Sequence, residues 1–136
     1  MMQESPLREP APRFHSPFIE HLGIEFARIG TDEVELRLPI RTEFLNSVGI
    51  VHGGVYASLV DCALSAAFYP HVGEGLRAVT LEMSCRYLKS AATGVLVARG
   101  RVLHLGRSIA SSEAEILVDE VLRFKASGTF MLVDRR

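Results

Sequence analysis

The chain has 136 residues, of which 48% are hydrophobic and 23% are charged, and its 15 lysines and arginines nearly balance its 16 aspartates and glutamates. This composition is typical of one globular domain, and it excludes a disordered chain, a collagen-like repeat and a small disulfide-stapled protein. The lack of a basic excess argues against a nucleic-acid-binding protein, and two cysteines without a framework favour a reduced, cytoplasmic protein.

The first 14 residues are predicted to form a flexible arm, because Pro6, Pro10 and Pro12 interrupt any regular element. The arm has no apolar stretch and so does not resemble a secretory signal. No apolar run in the chain reaches the roughly 18 residues of a membrane span. We expect residues 15–136 to form a single domain that begins with a short helix over residues 17–22, with Ser16 as its N-cap and Gly23 after its last turn.

Alternating apolar and polar side chains predict strands over residues 24–29 and 33–39, with a turn at residues 30–32 and a loop over residues 41–51. The stretch from residue 53 to about residue 69 is apolar on nearly every side, and Asp61 is its only charge. This pattern predicts a buried helix of about four turns, ended by Pro70.

Four further strands are predicted over residues 77–88, 94–105, 107–118 and 121–133, a region without proline. Strict alternation would put Leu122 on the same face as Phe124, and Thr80 on the same face as Glu82. Strands in hairpin succession form an antiparallel sheet, and a helix that is apolar all round implies a sheet curved around it. The sequence therefore predicts an α+β fold with about six strands around one long helix.

Asp61 is the first candidate for chemistry, because it lies in the middle of the apolar helix. An unpaired buried carboxylate costs several kcal/mol, so either a partner compensates or a function requires the charge. The structural alternative is that Asp61 faces a gap open to solvent or pairs with a buried arginine.

The second candidate is the run His52-Gly53-Gly54, where a loop becomes the long helix. A helix N-terminus presents unpaired N–H groups and a partial positive charge, and glycine leaves room for a ligand. Such a place binds an anion or stabilises a developing oxyanion. The alternative is that the glycines only make a tight turn and that His52 is a surface or capping residue.

The spacing of the two candidates bears on how a site could be built. His52 and Asp61 are nine residues apart, which puts them half a turn out of phase and about 13 Å apart along a helix. If both belong to one site, the second half must come from another chain. A two-fold dimer is the commonest arrangement that supplies it.

These residues carry a resemblance to a known family. The pattern is Asn46, five residues, His52-Gly53-Gly54, and Asp61 seven residues after Gly54. The likeness runs over residues 15–133 and continues through residues 78–83, Tyr87, Ala91, Gly106 and Arg107. The sequence resembles the hotdog-fold acyl-CoA thioesterases, most closely those of the phenylacetate-degradation type. The predicted order of elements matches that family's helix wrapped in an antiparallel sheet.

The resemblance implies a role for each matching residue. Asn46 and the amide of Gly53 would polarise the thioester carbonyl, and His52 would orient their loop. Asp61 of the partner chain would be the general base or the nucleophile. Thr80 matches a position where the family often has a serine or threonine that positions the water.

The resemblance also implies which segments bind the coenzyme. The residues matching its binding segments are Gly54, Tyr87, Leu88, Lys89, Ser90, His104, Gly106, Arg107 and Ser108. Lys89 and Arg107 could contact phosphates, or they could be solvated turn residues. One departure from the family is Ser90, where a proline is usual. The family further implies a homodimer, or a dimer of dimers, with no metal and no cofactor beyond the coenzyme A of the substrate.

Other interpretations are weaker. Cys62 lies within the apolar helix and is expected to be structural rather than nucleophilic, and the five histidines lack metal-ligand spacing. A hotdog dehydratase or hydratase would act on the acyl chain, and an assay for crotonyl-CoA hydration would detect it. A non-catalytic acyl-CoA-binding protein would release no thiol from an acyl-CoA.

Overall fold

The computed structural model describes residues 16–135, so the predicted arm over residues 1–14 lies outside the described residues. The elements in chain order are α1 (Pro17–Leu22), β1 (Glu25–Ile29), β2 (Val34–Pro39), α2 (Gly53–Ala66), β3 (Leu76–Tyr87), β4 (Val95–Leu105), β5 (Ile109–Val118) and β6 (Val121–Asp134). The predicted α+β fold and order of elements are confirmed, and every bound except the end of the long helix lies within two residues of the prediction. The predicted loop contains one short 3₁₀ turn, Thr42–Phe44.

Helix α1 begins and ends where its capping residues predict. The hydroxyl of Ser16 accepts a hydrogen bond from the N–H of Ile19 at 3.1 Å. Gly23 has a φ of 83°, the left-handed conformation that ends a helix at little cost only for glycine.

The six strands form one antiparallel sheet in the order β1-β2-β4-β5-β6-β3. β3 therefore lies at one edge of the sheet, and within residues 16–135 its only strand neighbour is β6. The opposite side of β3 presents backbone groups that have no strand partner among the described residues.

Helix α2 lies against the inner face of the sheet and buries Leu59, Val60 and Leu64 completely. Its close approach depends on small residues beneath it. A Cβ atom on Gly100 would lie 2.6 Å from the carbonyl oxygen of Ala63, and the buried Ser112 hydroxyl donates to the carbonyl of Leu64 at 2.9 Å.

The predicted long helix is shorter than expected at its C-terminal end. Regular α-helix ends at Ala66, and the chain continues as tight turns in which Phe68 donates to Ser65 and Tyr69 donates to Ala66. Such i→i−3 bonds commonly tighten the last turn of a helix. No helix among the described residues is long and apolar enough to span a bilayer.

A bulge in β3 contradicts the predicted face of Thr80. Thr80 lies opposite Phe130 and Glu82 lies opposite Thr129, so Leu81 is one extra residue without a counterpart on β6. An extra residue reverses the alternation of the side chains beyond it. Thr80 consequently faces the helix, while Glu82 faces outward.

A second bulge, in β6, contradicts the predicted face of Leu122. Phe124 pairs with Ile116 and Leu122 pairs with Leu117, which leaves Arg123 as the extra residue. Leu122 therefore faces outward and is 37% exposed, whereas Phe124 is fully buried. Neither bulge is visible in the hydropathy pattern, because both depend on how a neighbouring strand pairs.

Candidate active site

Asp61 lies on the partly exposed side of α2, where its Oδ1 accepts a hydrogen bond from the hydroxyl of Thr80 at 2.7 Å. This contact joins the middle of the helix to the first half of β3. The ion pairs found among the described residues do not include Asp61. Of the two structural alternatives, the described residues offer Asp61 no arginine partner, and its side chain is partly exposed to solvent.

The neighbouring thiol is poorly suited to act as a nucleophile. Burial, and to a lesser extent the Asp61 carboxylate, raise the pKa of the Cys62 thiol to about 12. The same two causes raise the pKa of the Cys85 thiol on β3. Since the thiolate is the reactive form, the Cys62 side chain is unreactive near neutral pH.

His52 caps the N-terminus of α2. Its Nδ1 accepts a hydrogen bond from the N–H of Gly54 at 2.8 Å, so in the neutral ring the proton resides on Nε2. The capping role considered as an alternative is thus present. Gly53 occupies the first helical position, where its N–H precedes the first intrahelical bond and has no acceptor within the helix.

Asn46 organises the loop that leads to His52. Its Oδ1 accepts hydrogen bonds from the N–H groups of Val48 and Ile50 at 3.0 and 3.2 Å. The turn closes on a single bridge between Leu45 and Val51. Because both bonds use the carbonyl oxygen, the orientation of the amide is defined and its Nδ2 group is left to donate.

Tyr87, at the end of β3, packs against the start of α2. Its hydroxyl donates to the carbonyl of Gly53 at 3.2 Å, and its ring contacts Phe124 edge-on with the centroids 4.9 Å apart. A Cβ atom on Gly53 would lie 3.1 Å from Cε1 of Tyr87. The absence of a side chain at Gly53 therefore lets the Tyr87 ring pack against the helix terminus, and it also leaves room there for a ligand.

Arg123 holds the turn after β3, a role that sequence reasoning missed. Its carbonyl accepts from the N–H groups of Leu88 and Lys89 at 2.9 and 3.0 Å. Its guanidinium donates to the carbonyls of Ser90 at 2.6 Å and Val118 at 3.2 Å. No sequence motif identifies Arg123, because its contacts depend on the bulge in β6, where it is the extra residue.

The remaining predicted coenzyme-binding residues form the hairpin turn between β4 and β5. The carbonyl of Ser108 accepts a hydrogen bond from the N–H of Leu132 at 2.7 Å. Leu132 lies opposite Ala78, two residues before Thr80. This turn, with His104 at the end of β4 just before it, is therefore on the side of the sheet where Asp61 and Thr80 meet.

The candidate residues separate into two groups within one chain. We call Asn46, His52, Gly53 and the segment 87–90 the Gly53 half-site, and Asp61, Thr80 and the segment 104–108 the Asp61 half-site. Gly53 and Asp61 are separated by about 12 Å along α2, and Thr80 and Tyr87 by roughly 20 Å along β3. One chain does not bring the two half-sites together.

Comparisons with known proteins show which family the chain belongs to. The family model described as the thioesterase superfamily matches residues 48–123, more than half of the chain. A Mycobacterium tuberculosis protein named an esterase is 33% identical over 110 residues, which is 78% of each chain. The proofreading thioesterase EntH of Cronobacter turicensis is 35% identical over 89 residues, or 65% of each chain.

Solved structures show the same fold. A conserved protein of Pseudomonas aeruginosa has 33% identity and a TM-score of 0.85, covering 91% of this chain and 100% of that one. A thioesterase of Haemophilus influenzae has 28% identity and a TM-score of 0.81, covering 86% and 82%. The predicted hotdog fold is thus confirmed, and the chain belongs to the thioesterase superfamily as a thioester hydrolase.

Proposed function

We propose that the protein is an acyl-CoA thioesterase, which hydrolyses an acyl-CoA to a carboxylic acid and free coenzyme A. The observation that carries this proposal is that one chain holds two half-sites whose chemistry is complementary. One end of the molecule offers unsatisfied hydrogen-bond donors to a carbonyl oxygen, and the other offers a carboxylate held by a hydroxyl. Ester-type hydrolysis requires both kinds of group at one carbonyl carbon.

The complete site then requires a second copy of the chain. β3 carries Thr80 in its first half and Tyr87 at its last position, and its outer edge has no strand partner within the described residues. A two-fold axis that crosses β3 midway between Thr80 and Tyr87 would set the Asp61 half-site of one chain against the Gly53 half-site of its partner. The proposal is a homodimer with two equivalent sites, and association of two such dimers is its extension.

In this dimer the thioester carbonyl oxygen would accept hydrogen bonds from the N–H of Gly53 and from Nδ2 of Asn46. Both donors are held by the surrounding loop and helix before the substrate arrives, so little reorganisation accompanies the reaction. Donors arranged in this way stabilise the oxyanion of the tetrahedral intermediate. His52 contributes by capping α2 and orienting the glycine turn.

Asp61 of the partner subunit would supply the base. It takes a proton from a water molecule as the water oxygen bonds to the carbonyl carbon. The C–S bond then breaks, and the proton passes to the departing thiolate of coenzyme A. Direct attack by the carboxylate, followed by hydrolysis of the anhydride, gives the same products. In either case the Thr80 hydroxyl orients the Asp61 carboxylate.

The coenzyme would lie between the two chains, against segment 87–90 of one and segment 104–108 of the other. Lys89 and Arg107 are exposed turn residues, and neither joins an ion pair found among residues 16–135. Both cations are therefore available to contact phosphates. The reaction as proposed uses water alone and no metal or redox cofactor, and a cytoplasmic location stays a prediction.

Thiol release from a panel of thioesters tests the proposal. The panel contains aryl, medium-chain and branched acyl-CoAs together with the same acyl groups on an acyl carrier protein, and Asp61→Asn is the matched control. We expect wild-type turnover with at least one acyl-CoA and loss of turnover in the control. Hydration of crotonyl-CoA without thiol release would support a hydratase instead, and binding without either reaction would support a non-catalytic protein.

A further inference from the structure

The glycine turn at the start of α2 is held at almost every backbone polar group. The N–H of His52 donates to the carbonyl of Phe44 at 2.8 Å, and the carbonyl of His52 accepts from the N–H of Val55 at 2.9 Å. The N–H of Gly54 donates to Nδ1 of His52. Among the described residues the N–H of Gly53 has no acceptor, which leaves it free to donate to a substrate.

The hydroxyl of Tyr87 supplies an anchor for the carbonyl of Gly53. It donates to this oxygen at 3.2 Å, and the carbonyl shares a peptide plane with the Gly54 N–H that His52 holds. Burial, with a smaller contribution from the Cys85 thiol, raises the pKa of Tyr87, so the phenol keeps its proton near neutral pH. The plane is therefore held at both ends, and the Tyr87 bond is the one that comes from outside the local loop and helix.

The ring of Tyr87 is fixed independently of its hydroxyl. Tyr87 lies opposite Phe124 on β6, and the two rings meet edge-on. Phe124 is fully buried and stacks on Tyr56 with the ring centroids 5.5 Å apart and the planes 9° from parallel. Because these contacts join ring to ring, removal of the hydroxyl alone should leave the Tyr87 ring in place.

The chain after Tyr87 returns to the other side of the same turn. The carbonyl of Ala91 accepts a hydrogen bond at 2.8 Å from the N–H of Val51, two residues before Gly53. Residues 87–91 therefore contact the turn both before and after the free N–H. Any shift of this end of β3 would shift the donor as well.

We propose that Tyr87 is a positioning residue for the hydrolysis, whose hydroxyl fixes the direction of the Gly53 N–H by holding the Gly53 carbonyl. The inference rests on the proposed function, in which that N–H binds the thioester oxygen. Successive glycines have wide backbone freedom, so a donor in such a turn needs an outside restraint. Thr80 orients the carboxylate of Asp61 from the same strand. β3 thus carries one positioning hydroxyl for each half-site.

Tyr87→Phe separates positioning from coenzyme binding, because it removes the hydroxyl and keeps the ring. We expect kcat to fall about tenfold, less than the roughly 10²–10³-fold loss of an entire oxyanion donor, because a misdirected donor keeps part of its effect. KM and the dissociation constant of coenzyme A should stay within about twofold of wild type. Tyr69→Phe, in the turns after α2, is the control and should change neither kcat nor KM.

An unchanged kcat in Tyr87→Phe would overturn the proposal. A rise in KM and in the coenzyme A dissociation constant at constant kcat would do the same, and it would identify Tyr87 as a coenzyme contact instead.

A double variant tests whether the hydroxyl acts through Gly53. Gly53→Ala already displaces the donor, so adding Tyr87→Phe should lower kcat less than about twofold further. If the two losses multiply as those of independent residues do, Tyr87 does not act through Gly53.

Amide NMR spectra test the positioning role without relying on activity. In Tyr87→Phe the cross-peaks of Gly53 and Gly54 should move, and the Gly54 N–H should exchange faster with solvent, because its peptide plane has lost one of its two anchors. Both peaks should keep their wild-type positions in Tyr69→Phe. Unmoved peaks in a folded Tyr87→Phe protein would contradict the proposal. Moved peaks in a protein that releases no thiol would leave the hold of Tyr87 on the turn standing while the proposed function fails.

Discussion

The Thr80 hydroxyl donates a 2.7 Å hydrogen bond to the carboxylate of Asp61, although strict alternation from Glu82 would turn Thr80 away from the helix. One extra residue, Leu81, accounts for the difference. β-Bulges often lie beside active sites, where they redirect a side chain. Here the bulge directs the Thr80 hydroxyl toward Asp61, the only charged residue in α2.

Asp61→Asn should lower kcat by at least about a thousandfold, because the amide cannot take a proton from water. The amide oxygen can still accept the hydrogen bond from Thr80, so the fold should be retained. The melting temperature should stay equal or rise, because a partly buried charge is removed. Thiol release and a thermal melt measure the two effects, and near-normal turnover would refute the role of Asp61.

Thr80→Val and Thr80→Ser form a matched pair. Valine keeps the shape of the side chain but loses the hydroxyl, and a carboxylate displaced by about 1 Å can cost on the order of a hundredfold in rate. We expect kcat to fall about 10- to 100-fold in Thr80→Val, with little change in KM and near-normal kinetics in Thr80→Ser. Equal losses in both variants would mean that Thr80 matters for packing instead.

Gly53→Ala should reduce kcat by about 10²–10³-fold, because the added Cβ intrudes on the carbonyl pocket and misplaces the N–H, with an effect like that of losing one oxyanion donor. The added Cβ would lie 3.1 Å from the ring of Tyr87 and would displace either the ring or the helix terminus. Gly73→Ala is the control, since a Cβ at Gly73 meets no atom within 4 Å. Normal hydrolysis by a folded Gly53→Ala protein would show that the glycines serve only as a turn.

Mixed reassembly tests the shared site. Asn46→Ala and Asp61→Ala are each expected to be inactive. In a mixed dimer, however, one site carries both substitutions and the other site carries neither. Random pairing makes about half the dimers mixed, so activity should return to roughly a quarter of wild type. If mass spectrometry confirms mixed dimers and no activity returns, each site lies within a single chain.

Arg123→Met should weaken substrate binding more than it slows turnover. The side chain and carbonyl of Arg123 together hold residues 88–90, so its loss should raise KM about tenfold while kcat changes less than about threefold, the pattern of lost uniform binding. Arg123→Lys keeps the charge but not the forked geometry that reaches two carbonyls, and it should show most of the same loss. A fall in kcat at constant KM would contradict this role.

Several parts of the site could be predicted from the sequence because they depend on neighbours along the chain. The capping of α1 by Ser16 and Gly23 was predicted and is confirmed. The start of α2 at Gly53 was predicted as well. Asp61 could be identified as a candidate because a charged residue is unusual inside an apolar helix. Its hydrogen bond with Thr80 could not be predicted, because that contact depends on the packing of β3 beside the helix.

The order of the elements, the α+β class and the position of the two candidate motifs follow from local sequence patterns, because helix caps and side-chain periodicity act over a few residues. The faces on which Thr80 and Leu122 lie, and the contacts of Arg123, follow instead from the way the strands pair in the folded protein. Each of these depends on how one strand registers against another, and a one-residue slip reverses every side chain beyond it. That pairing joins residues distant in sequence, so no local pattern records it.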